Sequence, residues 1–303
     1  MSGRWWRLLV IGVVVAVTAA CGAQGGGDGR PDIVVTTTIL GDVVRQIVGD
    51  TADVRVLMKP NADPHSSSLS AADAAQMSDS DLVVYNGLGL EESMQRHVDA
   101  AAEDGVATLP VGDHVDPLRL SGTDDSGIDP HFWTDPQRMV LAVDVIADRI
   151  GELPGIDSGA ITANAGRYRD ELTRLSEAMA ARFAVIPAER RKLVTNHHVL
   201  GYLADRFDFT VIGAVIPSGT TLASPSASDL ESLTRAVRTA GVPAIFVDSS
   251  QPDRLARVLA EHAGVNVNVV TLYTESLSEP GTPADSYLAM MRANTETIVT
   301  NLM

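Results

Sequence analysis

The 303-residue sequence contains one cysteine, Cys21. An internal disulfide needs two and a multi-cysteine zinc site needs more, so both are excluded. Any metal chemistry has to come from histidine and carboxylates. Lysine is nearly missing: only Lys59 and Lys192 occur, while arginine is abundant. We read that bias as GC-rich codon usage rather than function. Positive charge is scarce overall, with Lys+Arg at 23 against Asp+Glu at 39, a formal charge of -16. A phosphate backbone needs a basic footprint, so no nucleic-acid partner is expected. An acidic surface does tolerate cations. The chain also lacks a long apolar run: Leu8 to Ala20 covers 13 residues, short of the roughly 20 that hydrocarbon requires. What is present is enough for a sizeable core, with 45% hydrophobic and 20% charged residues. That excludes wholesale disorder and a fibrous fold. The length suits about two domains on a prior of roughly 150 residues each.

The first segment reads as an address. Arg4 and Arg7 precede the short apolar run, which ends in small residues, the pattern of a secretory signal. Thr18-Ala19-Ala20-Cys21 resembles a bacterial lipobox, although Thr18 stands where an aliphatic residue is usual. The resemblance implies a signal peptide over 1–20, with Cys21 lipidated as the mature N-terminus. Residues 21–31 then form a glycine-rich tether, and the protein is lipid-anchored at the extracytoplasmic face of the membrane. The alternative is a secreted protein with a chance cysteine.

The remainder alternates strand and helix patterns. Ile33 to Thr37, Val54 to Met58, Asp81 to Tyr85 and 106–109 read as strands. Helices are expected at Leu40 to Val48, from Ser70 (a capping box with Asp73), at 91–103 and from Pro136 to Glu152. Residues 111–128, rich in glycine and aspartate, read as a loop. Residues 157–186 carry apolar positions at helical spacing (Ile161, Ala165, Tyr168, Leu172, Leu175, Met179, Ile186) and end before Pro187. This predicts one long strut between two lobes. A second alternating set follows, with strands at 192–196, 209–214, 244–248 and 266–271. Its helices are expected at 199–207, 226–241, 252–263 and 284–302. The fold class is therefore α/β: two lobes, 32–156 and 187–303, with mostly parallel sheets, joined by a linking helix over 157–186.

Seven histidines occur: His65, His97, His114, His131, His197, His198 and His262. His65 and His131 each follow Asp-Pro, and His197 ends a strand. All three sit at edges of β/α units, where ligands bind in open α/β sheets. Each proline fixes its own φ and helps pre-position the histidine after it. Taken singly, each histidine reads more readily as an ordinary hydrogen-bonding residue than as a metal ligand; the repeated Asp-Pro-His shifts that balance for His65 and His131. His97 and His262 read as surface residues. His114, in the acidic loop, is a candidate secondary metal contact.

These residues resemble a known family. Asp63-Pro64-His65, Asp129-Pro130-His131-Phe132-Trp133-Thr134-Asp135-Pro136 and His197-His198-Val199-Leu200-Gly201-Tyr202 are similar to motifs of the ZnuA-like zinc/manganese substrate-binding lipoproteins of ABC importers. The tail with Tyr287, Met290-Met291 and Asn294 fits as well, and Thr195 to Ala223 looks most like the AztC-type branch. The resemblance covers about residues 32–303. It implies that His65, His131 and His197 are metal ligands in the cleft between the lobes. It also implies a carboxylate ligand at Glu275, where the family usually has Asp, with Asp248 as the alternative. Manganese members commonly carry Glu at the third position, so histidine there favours zinc. Residues 111–128 hold only one histidine, unlike the histidine-rich loop of many zinc members.

The implied function is extracytoplasmic capture of Zn2+, the transported ligand, and its delivery to an ABC permease and its ATPase subunit. A zinc metallochaperone is a further implied partner, and a monomer is expected. Metal binding is expected to release protons from the imidazoles. Competing readings are a manganese-binding member, a surface adhesin and a zinc hydrolase. The sequence shows no His-Glu-x-x-His, no Gly-x-Ser-x-Gly and no phosphate loop, so no enzymatic activity is expected. His198, next to His197, is expected to point away from the site and to begin the following helix, capping it or facing solvent.

Overall fold

The computed structural model describes residues 29–120, 127–263 and 267–303. The signal and lipidation reading at Cys21 lies outside the described residues. Among the described residues no helix is long and apolar enough to cross a membrane.

The first lobe runs β1 (Asp32–Val35), α1 (Thr38–Val48), β2 (Asp53–Val56), α2 (Ala71–Ser78), β3 (Leu82–Tyr85), α3 (Gln95–Glu103), β4 (Ala107–Pro110) and α4 (Pro136–Gly151). Its four strands are all parallel, in the order β2-β1-β3-β4. Ile33, Val34 and Val35 of β1 are fully buried, as are Leu82, Val83 and Val84 of β3. Continuous apolar runs of this kind belong to strands covered on both faces. One face packs Val34 and Val83 against Met77 of α2 and Val98 of α3. The other packs Ile33 and Val35 into the main core with α1 and α4.

The linking helix, α5 (Ser158–Phe183), has 26 residues, about 39 Å at 1.5 Å per residue. Asp157 caps it through Ala160 N–H at 3.0 Å. Ile161, Ala165, Tyr168, Leu172, Leu175 and Met179 are buried as their spacing requires. The helix stops at Phe183, short of Pro187, and Ile186 is buried beyond its end. It packs on α1 and α4 of the first lobe and on the last helix of the second. Phe183 also meets Phe207 and Phe209 edge-on at 5.1 and 5.0 Å. One rigid element therefore shares the cores of both lobes, which disfavours wide hinge closure.

The second lobe repeats the plan: β5 (Lys192–Thr195), α6 (Gly201–Phe207), β6 (Thr210–Ala214), α7 (Ala227–Ala240), β7 (Ala244–Asp248), α8 (Arg254–Ala263), β8 (Asn268–Leu272) and α9 (Tyr287–Leu302). Its parallel order, β6-β5-β7-β8, has the topology of the first sheet. The expected capping boxes form at Ser70/Asp73 and Ser226/Asp229. The largest shift of a helix start from its pattern is at α3, which begins at Gln95, not at 91. The reason is Glu91, which turns inward. Its Oε1 accepts from Thr36 Oγ1 at 2.7 Å and Asn86 N at 2.6 Å, and its Oε2 from Gly87 N at 3.1 Å.

A candidate metal centre between the lobes

Four connections leave the carboxyl ends of strands and converge. His65 lies after β2 and His131 after β4, both in the first lobe, while His197 follows β5 and Glu275 follows β8 in the second. All four are buried, none more than 1% exposed. Each offers one donor atom, and these donors lie within 4.8 Å of one another.

The donors are the three Nε2 atoms and the carboxylate. His197 Nε2 is 3.0 Å from Glu275 Oε1, His131 Nε2 is 3.7 Å from the same oxygen, and His65 Nε2 is 4.0 Å from Oε2. His65 and His131 face each other Nε2 to Nε2 at 3.4 Å. The three rings are mutually edge-on, with centroids 5.2 to 5.6 Å apart. A tetrahedral ion with bonds of about 2.0–2.2 Å spaces its donors by roughly 3.3–3.6 Å, within the observed range. Neither oxygen of Glu275 and neither ring nitrogen of His197 makes a hydrogen bond. Buried polar atoms are rarely left so, and a cation among the donors would satisfy His197 Nε2 and the Glu275 carboxylate.

Local chemistry sets the aim of each ring. In both Asp-Pro-His copies the aspartate carboxylate accepts the N–H two residues on: Asp63 Oδ1 from His65 and Asp129 Oδ1 from His131, each at 3.0 Å. This is an Asx turn. Asp129 Oδ1 also sits 2.7 Å from His131 Nδ1. Tyr202 Oη donates to the Asp129 carbonyl at 2.7 Å, and a Cβ on Gly201 would collide with Asp129 Oδ2. The Gly-Tyr of the third motif thus seats the aspartate of the second. Sequence reading credited the prolines and missed both aspartates; the twofold Asp at position i−2 was the available signal.

The Glu275 loop is held from several sides. Asp248 Oδ2 accepts from Thr274 N at 2.9 Å, Thr274 Oγ1 at 2.6 Å and Glu275 N at 3.1 Å. Trp133 Nε1 donates to the Thr274 carbonyl at 2.8 Å. Asn294 pairs both backbone groups of Tyr273 at 3.0 and 2.7 Å. Asp248, the alternative ligand, is outside the four-residue group, and its carboxylate serves as an anchor for this loop.

Burial dominates the electrostatics. It pushes the His65 imidazole down to about 2, helped by the nearby charges of His131 and His197. It pushes His197 down to about 4 against the pull of Asp248, Asp63 and Asp129. It pushes the Glu275 carboxyl up to about 8, because desolvation penalises the charged form. In the metal-free protein near neutrality, His65 and His197 are therefore neutral with free lone pairs, and Glu275 holds a proton. For His65 and His197 this departs from the expectation that the imidazoles release the protons, and burial makes the Glu275 carboxyl the group with a proton to give up.

Two other histidines depart from expectation. His198 neither starts α6 nor faces solvent. It is 6% exposed, its N–H donates to the Ser218 carbonyl at 2.9 Å, and α6 begins only at Gly201. The β5–α6 connection has to turn His197 inward, and that turn buries its neighbour too. His114 is exposed at the end of a 3-10 turn, Val111–His114, outside the four-residue group.

The arrangement defines a class, a two-lobed protein with a buried metal-type cluster at the lobe interface. A family model described as "Zinc-uptake complex component A periplasmic", ZnuA, matches residues 33–301. The chain belongs to this family of metal-binding substrate-binding proteins of ABC importers, which are transport proteins and not enzymes. The hydrolase reading is thereby set aside. Among relatives, the "Manganese-binding lipoprotein MntA" of Halalkalibacterium halodurans is 29% identical over 97% of both chains. The "Zinc-binding protein TroA" of Treponema pallidum is also 29% identical, over 97% of this chain and 96% of that one. The structure of the periplasmic zinc-binding protein TroA from Treponema pallidum superposes with a TM-score of 0.83 at 28% identity, covering 90% of this chain and 99% of that one. A Mn-bound periplasmic metal-binding protein from Candidatus Liberibacter asiaticus gives 0.80 at 27% identity, covering 90% and 100%.

Proposed function

We propose that this chain captures Zn2+ outside the cytoplasm and hands it to an ABC permease, with His65, His131, His197 and Glu275 as the ligands. The observation that carries the reading is the convergence of three buried Nε2 atoms on one carboxylate. Imidazole suits zinc, whereas manganese prefers carboxylate, carbonyl and water oxygen. Relatives named for zinc and for manganese are about equally similar to this chain, so the choice of zinc rests on the donor set. In this reading Cys21 carries the lipid anchor, the protein works as a monomer, and the likeness to the AztC-type branch suggests loading by a zinc metallochaperone.

Metal competition tests it. The protein is incubated with equimolar zinc and manganese, desalted and analysed for bound metal. One zinc per chain is the expected result. Equal or better retention of manganese would overturn the zinc reading and leave the manganese-binding alternative.

A further inference from the structure

Asp63 does more than shape its own turn. It is 7% exposed, and its carboxylate serves both lobes. Oδ1 accepts the His65 N–H at 3.0 Å. Oδ2 accepts from Ser66 Oγ at 2.8 Å, and then from two side chains of the second lobe: Thr221 Oγ1 at 2.7 Å and Gln251 Nε2 at 2.9 Å. Thr221 lies in the β6–α7 connection and Gln251 in the β7–α8 connection. The second Asp-Pro-His copy differs. Asp129 uses its carboxylate on His131, and the other lobe reaches it through its backbone carbonyl, via Tyr202.

We propose that Asp63 is a positioning residue for zinc release. With Thr221 and Gln251 it forms a latch that couples the β6–α7 connection to the seat of His65 and so sets the residence time of the metal. The inference rests on the reading of His65 as a ligand. Moving the β6–α7 connection away from the first lobe breaks the Thr221 bond. That loosens the same carboxylate that holds the His65 N–H, so the ring loses its fixed aim. Coupling of this kind is reciprocal: whatever holds the latch shut favours zinc, and zinc favours the latch.

The test uses the full chain and zinc alone. Zinc release into an excess of chelator is followed by stopped flow for wild type, for Thr221→Val with Gln251→Leu, and for Thr221→Ser. These substitutions leave Asp63 itself and its Oδ1 bond to the His65 N–H in place. Release is expected to quicken by at least about tenfold in the double variant, the scale seen when outer partners of a ligand are removed. Thr221→Ser, which keeps the hydroxyl, should release at the wild-type rate. Zinc should raise amide-exchange protection of residues 216–226 in wild type but not in the double variant. The melting temperature of the metal-free protein is measured alongside. If the double variant has no melting transition, Thr221→Val alone carries the same comparison. Unchanged release and unchanged zinc-dependent protection would overturn the latch while leaving the site reading intact. A wild type that binds no zinc would overturn the site reading and the latch with it.

Discussion

His131 Nδ1 lies 2.7 Å from Asp129 Oδ1, and this contact decides which ring nitrogen faces the other lobe. An ionised carboxylate only accepts, so Nδ1 carries the hydrogen and Nε2 keeps its lone pair for the cluster. Asp129 also accepts the His131 N–H, so one side chain fixes both the backbone turn and the tautomer. Replacing it by Ala removes both. Zinc affinity of Asp129→Ala should fall about 10–100-fold, and Asp129→Asn should fall less, since its amide oxygen can still accept. Chelator competition measures both; an Asp129→Ala affinity equal to wild type would contradict this role.

The adjacent pair His197 and His198 separates a ligand from a neighbour. His197→Ala removes a donor 3.0 Å from Glu275 and should lower zinc affinity by more than the roughly 10–100-fold that loss of an outer partner costs. His198 is buried but holds its place through its backbone N–H, which alanine keeps. His198→Ala should stay within about tenfold, or 1.4 kcal/mol. A larger loss for His198→Ala than for His197→Ala would reverse the assignment.

The pH dependence has a definite sign. Burial holds His65 at about 2 and His197 at about 4, so neither has a proton to release above about pH 5. Glu275, pushed up to about 8, carries a proton that the metal must displace. Zinc affinity should rise about tenfold per pH unit from pH 5.5 to 7.5, one proton being released, and should level off above pH 8. Calorimetry in buffers of different ionisation enthalpy counts that proton. A slope near zero would mean that Glu275 is already ionised in the metal-free protein.

Lipidation is tested at Cys21. Cys21→Ser should move the protein from the membrane fraction to the soluble extracytoplasmic fraction. A variant that stays membrane-bound after a high-salt wash would remove the lipobox reading.

Much of the fold was legible because its signals are local. The caps at Ser70 and Ser226 involve residues three apart, and the buried strands announce themselves as β-branched runs. The Asp-Pro-His pairs mark two ligand positions for a similar reason, since the Asx turn is complete within three residues. What the sequence hid is non-local. Nothing near Glu91 in the chain says that its carboxylate will bind the amides of Asn86 and Gly87 and delay α3. Nothing near His198 says that the β5–α6 connection will bury it under Ser218. Asp248 and Glu275 were separable only once the strand-end loops were packed, because the 26 intervening residues must fold before Asp248 can hold Thr274. The Asp63 contacts to Thr221 and Gln251 span 158 and 188 residues, beyond any pattern reading.

The most direct measurement is zinc-edge X-ray absorption on the loaded full-length protein. One zinc is expected, with three imidazole nitrogens at about 2.0–2.1 Å and carboxylate oxygen at about 2.0–2.2 Å. The His197→Ala protein should show one imidazole fewer. An oxygen-dominated shell with fewer than three imidazoles, or a His197→Ala spectrum unchanged from wild type, would contradict the ligand set of His65, His131, His197 and Glu275.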